Sequence, residues 1–258
     1  MNIKRIAYLH FDFISQTTDV NIKQIITGIK KAKEFGANWV VTPETAVQGY
    51  HFAHKGRLNE VPNFIEDLIN PIMNAANENS VNVFAGCASK DKKGALKNSC
   101  FYINEKGEIA AVHDKKRVIV DKWAEAGDRD DVFYCGEIKT GLLICADIYK
   151  EENSAVLKEM GAKVIIVPSA WPSGYSNYPE KEIWKKASKL LGEIPILICN
   201  QTGGDEWLNY SNADSAILQN GNILMLYHGE PAILFMDIDF NSLKIMQNDF
   251  TVYPVKAF

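Results

Sequence analysis

The order of strand-like and helix-like segments predicts an α/β protein in which two mixed β-sheets stack face to face with helices outside both. Three observations predict it. Apolar runs of period two alternate with stretches of period near 3.6 along the chain. Hairpin signals interrupt that alternation, which a purely parallel doubly wound sheet would not contain. No internal repeat, low-complexity segment or linker divides the 258 residues, so 1–258 read as one domain.

The elements follow in order. Residues 4–11 alternate and are β-rich, a first strand. In "NIKQIITGIKKAKEFGA", Ile22, Ile25, Ile26 and Ile29 fall at helical spacing and Gly36 is placed to end the helix. "NWVVTPE" is a short buried strand that runs out at a carboxylate. Residues 61–78 predict a helix, with Pro62 in its first turn and Phe64, Ile65, Leu68, Ile69 and Ile72 as its apolar face. "VNVFAGCAS" is a strand, and "NSCFYINEKGEIAAVHDK" a hairpin around Lys106-Gly107. "GLLICADI" predicts a strand, residues 151–160 a helix, "AKVIIVPSAW" a strand, residues 179–191 a helix and "PILICNQTG" a strand. From Ala213 to Asp239, three β-rich runs separated by Asn220-Gly221 and Gly229-Glu230 suggest a meander.

Composition narrows the class. With 47% hydrophobic and 23% charged residues the chain reads as an ordinary globular protein with ample material for a core. A net charge of -4 offers no basic field for phosphates, which argues against a nucleic-acid partner. Cys87, Cys100, Cys135, Cys145 and Cys199 are odd in number and scattered, so neither a disulfide framework nor a CxxC pair is expected. "MNIKRIAYLHFDFISQ" is too short and broken in its apolar stretch for a signal peptide or membrane helix, and the expected setting is a reducing cytoplasm.

Three polar residues stand where buried strands run out: Glu44 after "WVVTPE", Lys115 after "IAAVHDK" and Cys145 after "GLLIC". Taken singly, each has an ordinary reading. A free cysteine is most often a small buried hydrophobe, Glu44 could cap a loop, and Lys115 could be a solvated edge residue. Together they form a workable hydrolytic set: a thiol to attack a carbonyl carbon, a carboxylate to move its proton, and an ammonium to stabilise an oxyanion.

"VVTPETAVQGY", "VHDKKRVIV" and "GLLICADI" resemble, in order and spacing, the three signature segments of the nitrilase, or carbon-nitrogen hydrolase, superfamily. "NSCFYINEKGEI", "VPSAWP" and "CNQTG" resemble its secondary features. The resemblance implies a four-layer α-β-β-α sandwich and a Glu-Lys-Cys triad. Glu44 would be the general base, Lys115 the oxyanion cation and Cys145 the nucleophile, with the Ala146 N–H as second oxyanion donor. Lys115 is chosen over Lys116 because the family lysine directly follows the position held here by Asp114. Tyr50 and Trp171 lie in loops that the family places around the pocket, formed by residues 50–60, 121–136 and 171–179.

Two departures qualify the match. The family's second glutamate has no counterpart at its usual offset; Glu125 is the candidate, with Asp128, Asp130 and Asp131 as rivals. The arginine common after the cysteine is replaced by Tyr149, which argues against a carboxylate-bearing carbamoyl amino acid as substrate. Cys-Ala-Asp, where nitrilases proper tend to carry Cys-Trp-Glu, favours amide chemistry. The expected activity is hydrolysis of a small linear amide or N-carbamoyl amine through a thioester. A nitrilase, an acyl transferase with the same triad and a non-catalytic binding member of the fold stand as alternatives. No cofactor is expected, and His51 and His54 lack a third ligand at metal-binding spacing. The family commonly dimerises, so a homodimer or higher homo-oligomer is expected. Cys87, Cys100 and Cys199 read as core, and Cys135 as core or near the site.

Overall fold

A computed structural model describes residues 1–118, 122–172 and 180–255. One sheet has the order β13-β12-β1-β2-β3-β4-β5, with β14 also paired to β12. Its strands are β1 (Ile3–His10), β2 (Trp39–Val41), β3 (Asn82–Lys90), β4 (Leu96–Ile103), β5 (Ile109–Asp114), β12 (Ala232–Asp239), β13 (Lys244–Ile245) and β14 (Thr251–Pro254). The other sheet has the order β11-β10-β9-β8-β7-β6. It comprises β6 (Asp131–Cys135), β7 (Ile138–Leu142), β8 (Val164–Pro168), β9 (Ile196–Cys199), β10 (Ser215–Gln219) and β11 (Asn222–Tyr227). Each sheet is parallel at its centre (β1-β2-β3 and β7-β8-β9) and antiparallel towards its edges.

Strand periodicity sorts the side chains into layers. On β1, Ile6 and Tyr8 face the second sheet, joining Trp39, Val41 and Phe84 against Leu142, Ile166 and Leu197. Ala7 and Leu9 face the opposite way, with Val40, Val83 and Ala85, onto helices α1 (Thr18–Glu34) and α2 (Glu66–Asn79). Ile22, Ile25 and Ile29 of α1 and Ile69 and Ile72 of α2 complete that layer. Helices α3 (Glu151–Glu159) and α4 (Glu180–Leu191) bury Leu157, Trp184, Ala187 and Leu191 on the second sheet. The result is the four-layer α-β-β-α sandwich. Among the described residues no helix is long and apolar enough to cross a membrane.

Several local readings are corrected. Helix α2 starts at Glu66, not near Pro62, and Phe64 is 70% exposed rather than on the apolar face. Arg57 clamps Glu60 at 2.6 Å and Thr18 at 2.8 Å, holding Leu58–Glu60 as a separate 3₁₀ turn and redirecting the chain before the helix. The C-terminal runs do not form a meander. Asn220 and Gly221 take φ of 52° and 77°, the left-handed pair that a tight hairpin needs, so β10 and β11 do pair. β12, however, leaves for the other sheet, where it pairs with all eight residues of β1. "GLLIC" also stops short as a strand: β7 ends at Leu142, and Cys145 opens a 3₁₀ turn (Cys145–Tyr149).

One close approach sets the position of the Glu44 loop. Gly86 on β3 donates its N–H to Thr42 Oγ1 (2.9 Å), and a Cβ there would lie 2.1 Å from the Pro43 carbonyl oxygen and 2.9 Å from the Thr45 nitrogen. Both neighbours are backbone and cannot swing aside. Gly86→Ala is therefore expected to cost at least about 2 kcal/mol of stability, read from urea melts. An unchanged midpoint would show that the loop yields freely.

Candidate active site

The three strand-end residues converge between the sheets. Glu44, three residues past β2, is fully buried, as is Lys115, the residue directly after β5. Lys115 Nζ donates to Glu44 Oε1 at 2.6 Å, and Asn98 Nδ2 on β4 donates to the same oxygen at 2.8 Å. Glu44 Oε2 accepts the N–H of Ala170 (3.0 Å), which follows β8. The carboxylate is thus held by groups from both sheets. Lys115 is fixed through its backbone, donating to Asn98 O (2.7 Å) and accepting from Gly127 N–H (2.8 Å).

Cys145 is buried beside this pair. Its thiol is pushed well above the usual range, first by burial and next by the Glu44 carboxylate; Lys115 and the Ala170 N–H pull the other way. Burial and the Glu44 carboxylate therefore favour the neutral thiol, and Glu44 is the carboxylate in contact with it. Cys145 takes φ of 45° and Thr45, next to Glu44, φ of 47°. Left-handed backbone at two residues that are not glycine, on either side of one charged cluster, is stored strain of the kind found at functional sites. Ala146 is the second residue of the turn that Cys145 opens. Its N–H belongs to the leading amides that such a turn leaves without an internal acceptor.

Aromatic side chains stand on one flank. Trp171 follows Ala170 directly and is buried; its backbone N–H donates to Asn200 Oδ1 (3.2 Å) and its Nε1 to Tyr149 Oη (3.2 Å). Tyr50 packs on Tyr210, whose hydroxyl donates to the Ala170 carbonyl at 3.3 Å. Arg117 lies 5.5 Å from the ring centre of Tyr149, so a guanidinium stands beside that tyrosine although none occupies its position. A cavity of about 510 Å³ lined by Lys116, Arg117, Val118, Gly127, Lys150 and Asn153 opens next to these segments.

Glu125 is not brought to the cluster. Its side chain is 74% exposed and faces Lys97 at 4.0 Å, because its backbone N–H is bound to Leu96 O at the start of β4, away from Glu44. Among its rivals, Asp130 pairs with Lys116 at 2.7 Å and Asp131 with His113 at 2.7 Å. Of the expected pocket loops, residue 121 and residues 173–179 lie outside the described residues. His51 binds Asp205 at 2.9 Å. Cys135 is buried in the core against Tyr102, its thiol pushed up to about 12 by burial. Sequence reasoning missed Asn98 and Asp147. Asn98 carries no motif signal and is identified only by its bond to Glu44. Asp147 stood in the quoted motif but was read for its chemistry class rather than for its bonds.

A layered α/β scaffold thus brings a buried cysteine, glutamate and lysine together at converging strand ends. Comparison with known proteins places it more closely. Residues 9–246 match the carbon-nitrogen hydrolase family, and the chain belongs to that family, within the nitrilase superfamily. It is 23% identical over 255 residues to a 2-oxoglutaramate amidase of Bacillus subtilis, covering 96% of this chain and 95% of that protein. The crystal structure of Saccharomyces cerevisiae Nit3, a member of branch 10 of the nitrilase superfamily, superposes with a TM-score of 0.83 at 18% identity, covering 94% of this chain and 92% of that one. A mutant of the amidase from Nesterenkonia sp. AN1, in which the acetamide moiety of fluoroacetamide is added covalently at the active-site cysteine, superposes with a TM-score of 0.80 at 18% identity over 93% of this chain and 92% of that one.

The buried ion pair has a direct consequence for stability. Removing one partner leaves the other charge without compensation in a site closed to water. Lys115→Met is expected to lower stability by about 3–5 kcal/mol in urea melts at pH 7, while the double variant Lys115→Met/Glu44→Gln recovers part of that loss. A Lys115→Met protein as stable as wild type would mean that the pair is not closed off from solvent.

Proposed function

We propose that this member of the family hydrolyses a small linear amide or N-carbamoyl amine through a thioester formed on Cys145. The observation that carries the reading is the bond of Lys115 to Glu44 at 2.6 Å beside a buried thiol that cannot ionise unaided. Glu44 takes the Cys145 proton as sulfur attacks the carbonyl carbon, and the carbonyl π electrons move onto oxygen. Lys115 Nζ and the Ala146 N–H stabilise that oxyanion. As the oxyanion collapses, the C–N bond breaks and Glu44 returns the proton to the departing nitrogen. Water then gives its proton to Glu44 and attacks the thioester; collapse expels sulfur, which recovers the proton. Trp171 and Tyr50 form walls of the acyl pocket in this reading. The small Ala146 after the nucleophile supports an amide over a nitrile.

A panel of linear amides, N-carbamoyl amines and nitriles, scored for ammonia release, tests the proposal. Wild type should turn over at least one amide or carbamoyl amine, and Cys145→Ala should lose at least about 10³-fold of that rate. Iodoacetamide should label Cys145 faster than Cys87 or Cys199, which lie buried in strands with their thiols raised chiefly by burial. Full activity in Cys145→Ala, or turnover confined to nitriles, would overturn it.

A further inference from the structure

Two residues before Lys115 and two after Cys145, the chain buries a second charged cluster that the proposed chemistry leaves unused. His113, on β5, is fully buried. Its Nδ1 lies 2.7 Å from Asp131 Oδ2 on β6, and its Nε2 lies 3.3 Å from Asp147 Oδ2 in the cysteine turn. Asp147 is fully buried too, and its oxygens are shared between the segments that carry the two catalytic candidates. Oδ2 accepts the Ile144 N–H (3.0 Å), next to Cys145. Oδ1 accepts the N–H groups of Lys116 (2.9 Å) and Arg117 (2.7 Å), directly after Lys115. Asp147 is the clasp between the cysteine turn and the lysine strand end, and His113 is the side chain that closes it from behind.

We propose that His113 is a positioning residue that works as an imidazolium: bridging Asp131 and Asp147, it holds the Asp147 clasp that sets Cys145 against Lys115. The inference rests on the proposed function and adds a residue to it. A neutral imidazole has one N–H and would turn its bare nitrogen towards one of the two carboxylates, whereas the charged ring donates to both. Burial works against the charge, but the hydrogen bonds and charges of Asp131 and Asp147 outweigh it and bring His113 up to about 9. The other groups around it do not compete for that role. Cys100, opposite on β4, is kept neutral by burial, and Lys116 is engaged by Asp130. Arg117 meets the clasp through its backbone and Tyr149 through its side chain. The sign follows. A group raised in the folded state stabilises fully below its ordinary value of 6.5, and that contribution is lost as pH climbs through about 9. The alignment of Cys145 with Lys115 should be lost over the same alkaline range.

Asp131 is the outer carboxylate, with a side chain 18% exposed, and Asp131→Asn leaves His113 and Asp147 in place. The experiment follows the His113 imidazole by NMR and kcat by ammonia release, on whichever amide gives Cys145-dependent turnover, from pH 6 to 10. In Asp131→Asn the imidazole titration should fall by about one pH unit or more. The alkaline limb of kcat should move down with it, while KM changes less than about two-fold. His113→Gln, checked for native circular dichroism, should lose about 10²-fold in kcat and show no such limb, since displacement of catalytic groups by about an ångström costs that much. If His113→Gln does not fold, Asp131→Asn alone decides. A limb that stays in place while the imidazole titration moves overturns the inference and leaves the proposed function standing. So does a His113 ring found neutral at pH 7 in the wild type. Absence of any Cys145-dependent turnover overturns both.

Discussion

The rest of the molecule depends on one buried ion pair. Glu44 and Lys115 sit out of water, where each charge alone would cost several kcal/mol even after relaxation. They are tolerable only because every element that reaches them brings a matching group. β2 delivers the carboxylate, β5 the ammonium, β4 the Asn98 amide and β8 the Ala170 N–H. Three of those strands belong to one sheet and β8 to the other. The pair therefore fixes how the sheets sit on each other at this end of the sandwich. Apolar packing between the sheets is non-directional and would accept small slips; the hydrogen bonds to Glu44 would not.

The same constraint explains where the chain departs from regular structure. β2 is only three residues long and β7 only five, and each stops before its catalytic candidate. The intervening residues then carry the backbone to the cluster along a route that ordinary residues resist. Thr45 and Cys145 both take left-handed φ with a Cβ present. Gly86 shows the reverse solution: it gives up its side chain so that the Pro43 carbonyl can come close. Strain at two residues and a missing side chain at a third all serve one placement.

How much of this was legible in the sequence depends on range. The layered α/β class, the β4–β5 hairpin and the helix α1 ending before Gly36 follow from periodicity and turn chemistry, which act over a few residues. Glu44, Lys115 and Cys145 were singled out because three short motifs each fell at the end of an apolar run, and the structure brings the three side chains together. What failed was long-range. The destination of β12 is set by eight pairings with β1, more than 220 residues earlier, as Ile3 opposite Asp239 shows, and no local pattern in "AILFMDID" marks it. The true start of α2 is set by Arg57 reaching Thr18 and Glu60. Glu125 was chosen by position in the chain, whereas its backbone bond to Leu96 turns it outward. Asn98 and His113 act through partners far away in sequence, so composition and spacing are silent about both.

Burial alone does not single out Cys145. Cys87, Cys100, Cys135 and Cys199 are buried as well, and burial raises their thiols in the same direction. A reader of exposure and acidity would rank all five as inert. Cys145 differs in the charges around it: a carboxylate able to receive its proton and an ammonium able to offset the charge that then appears on sulfur or on a carbonyl oxygen. Such a thiol need not be ionised at rest. In the proposed mechanism it reacts as attack and proton transfer occur together, with the positive charge of Lys115 already in place and requiring no reorganisation. In this arrangement reactivity belongs to the geometry of the three groups, and the Asp147 clasp, which joins the cysteine turn to the lysine strand end through three backbone N–H groups, is what that geometry rests on.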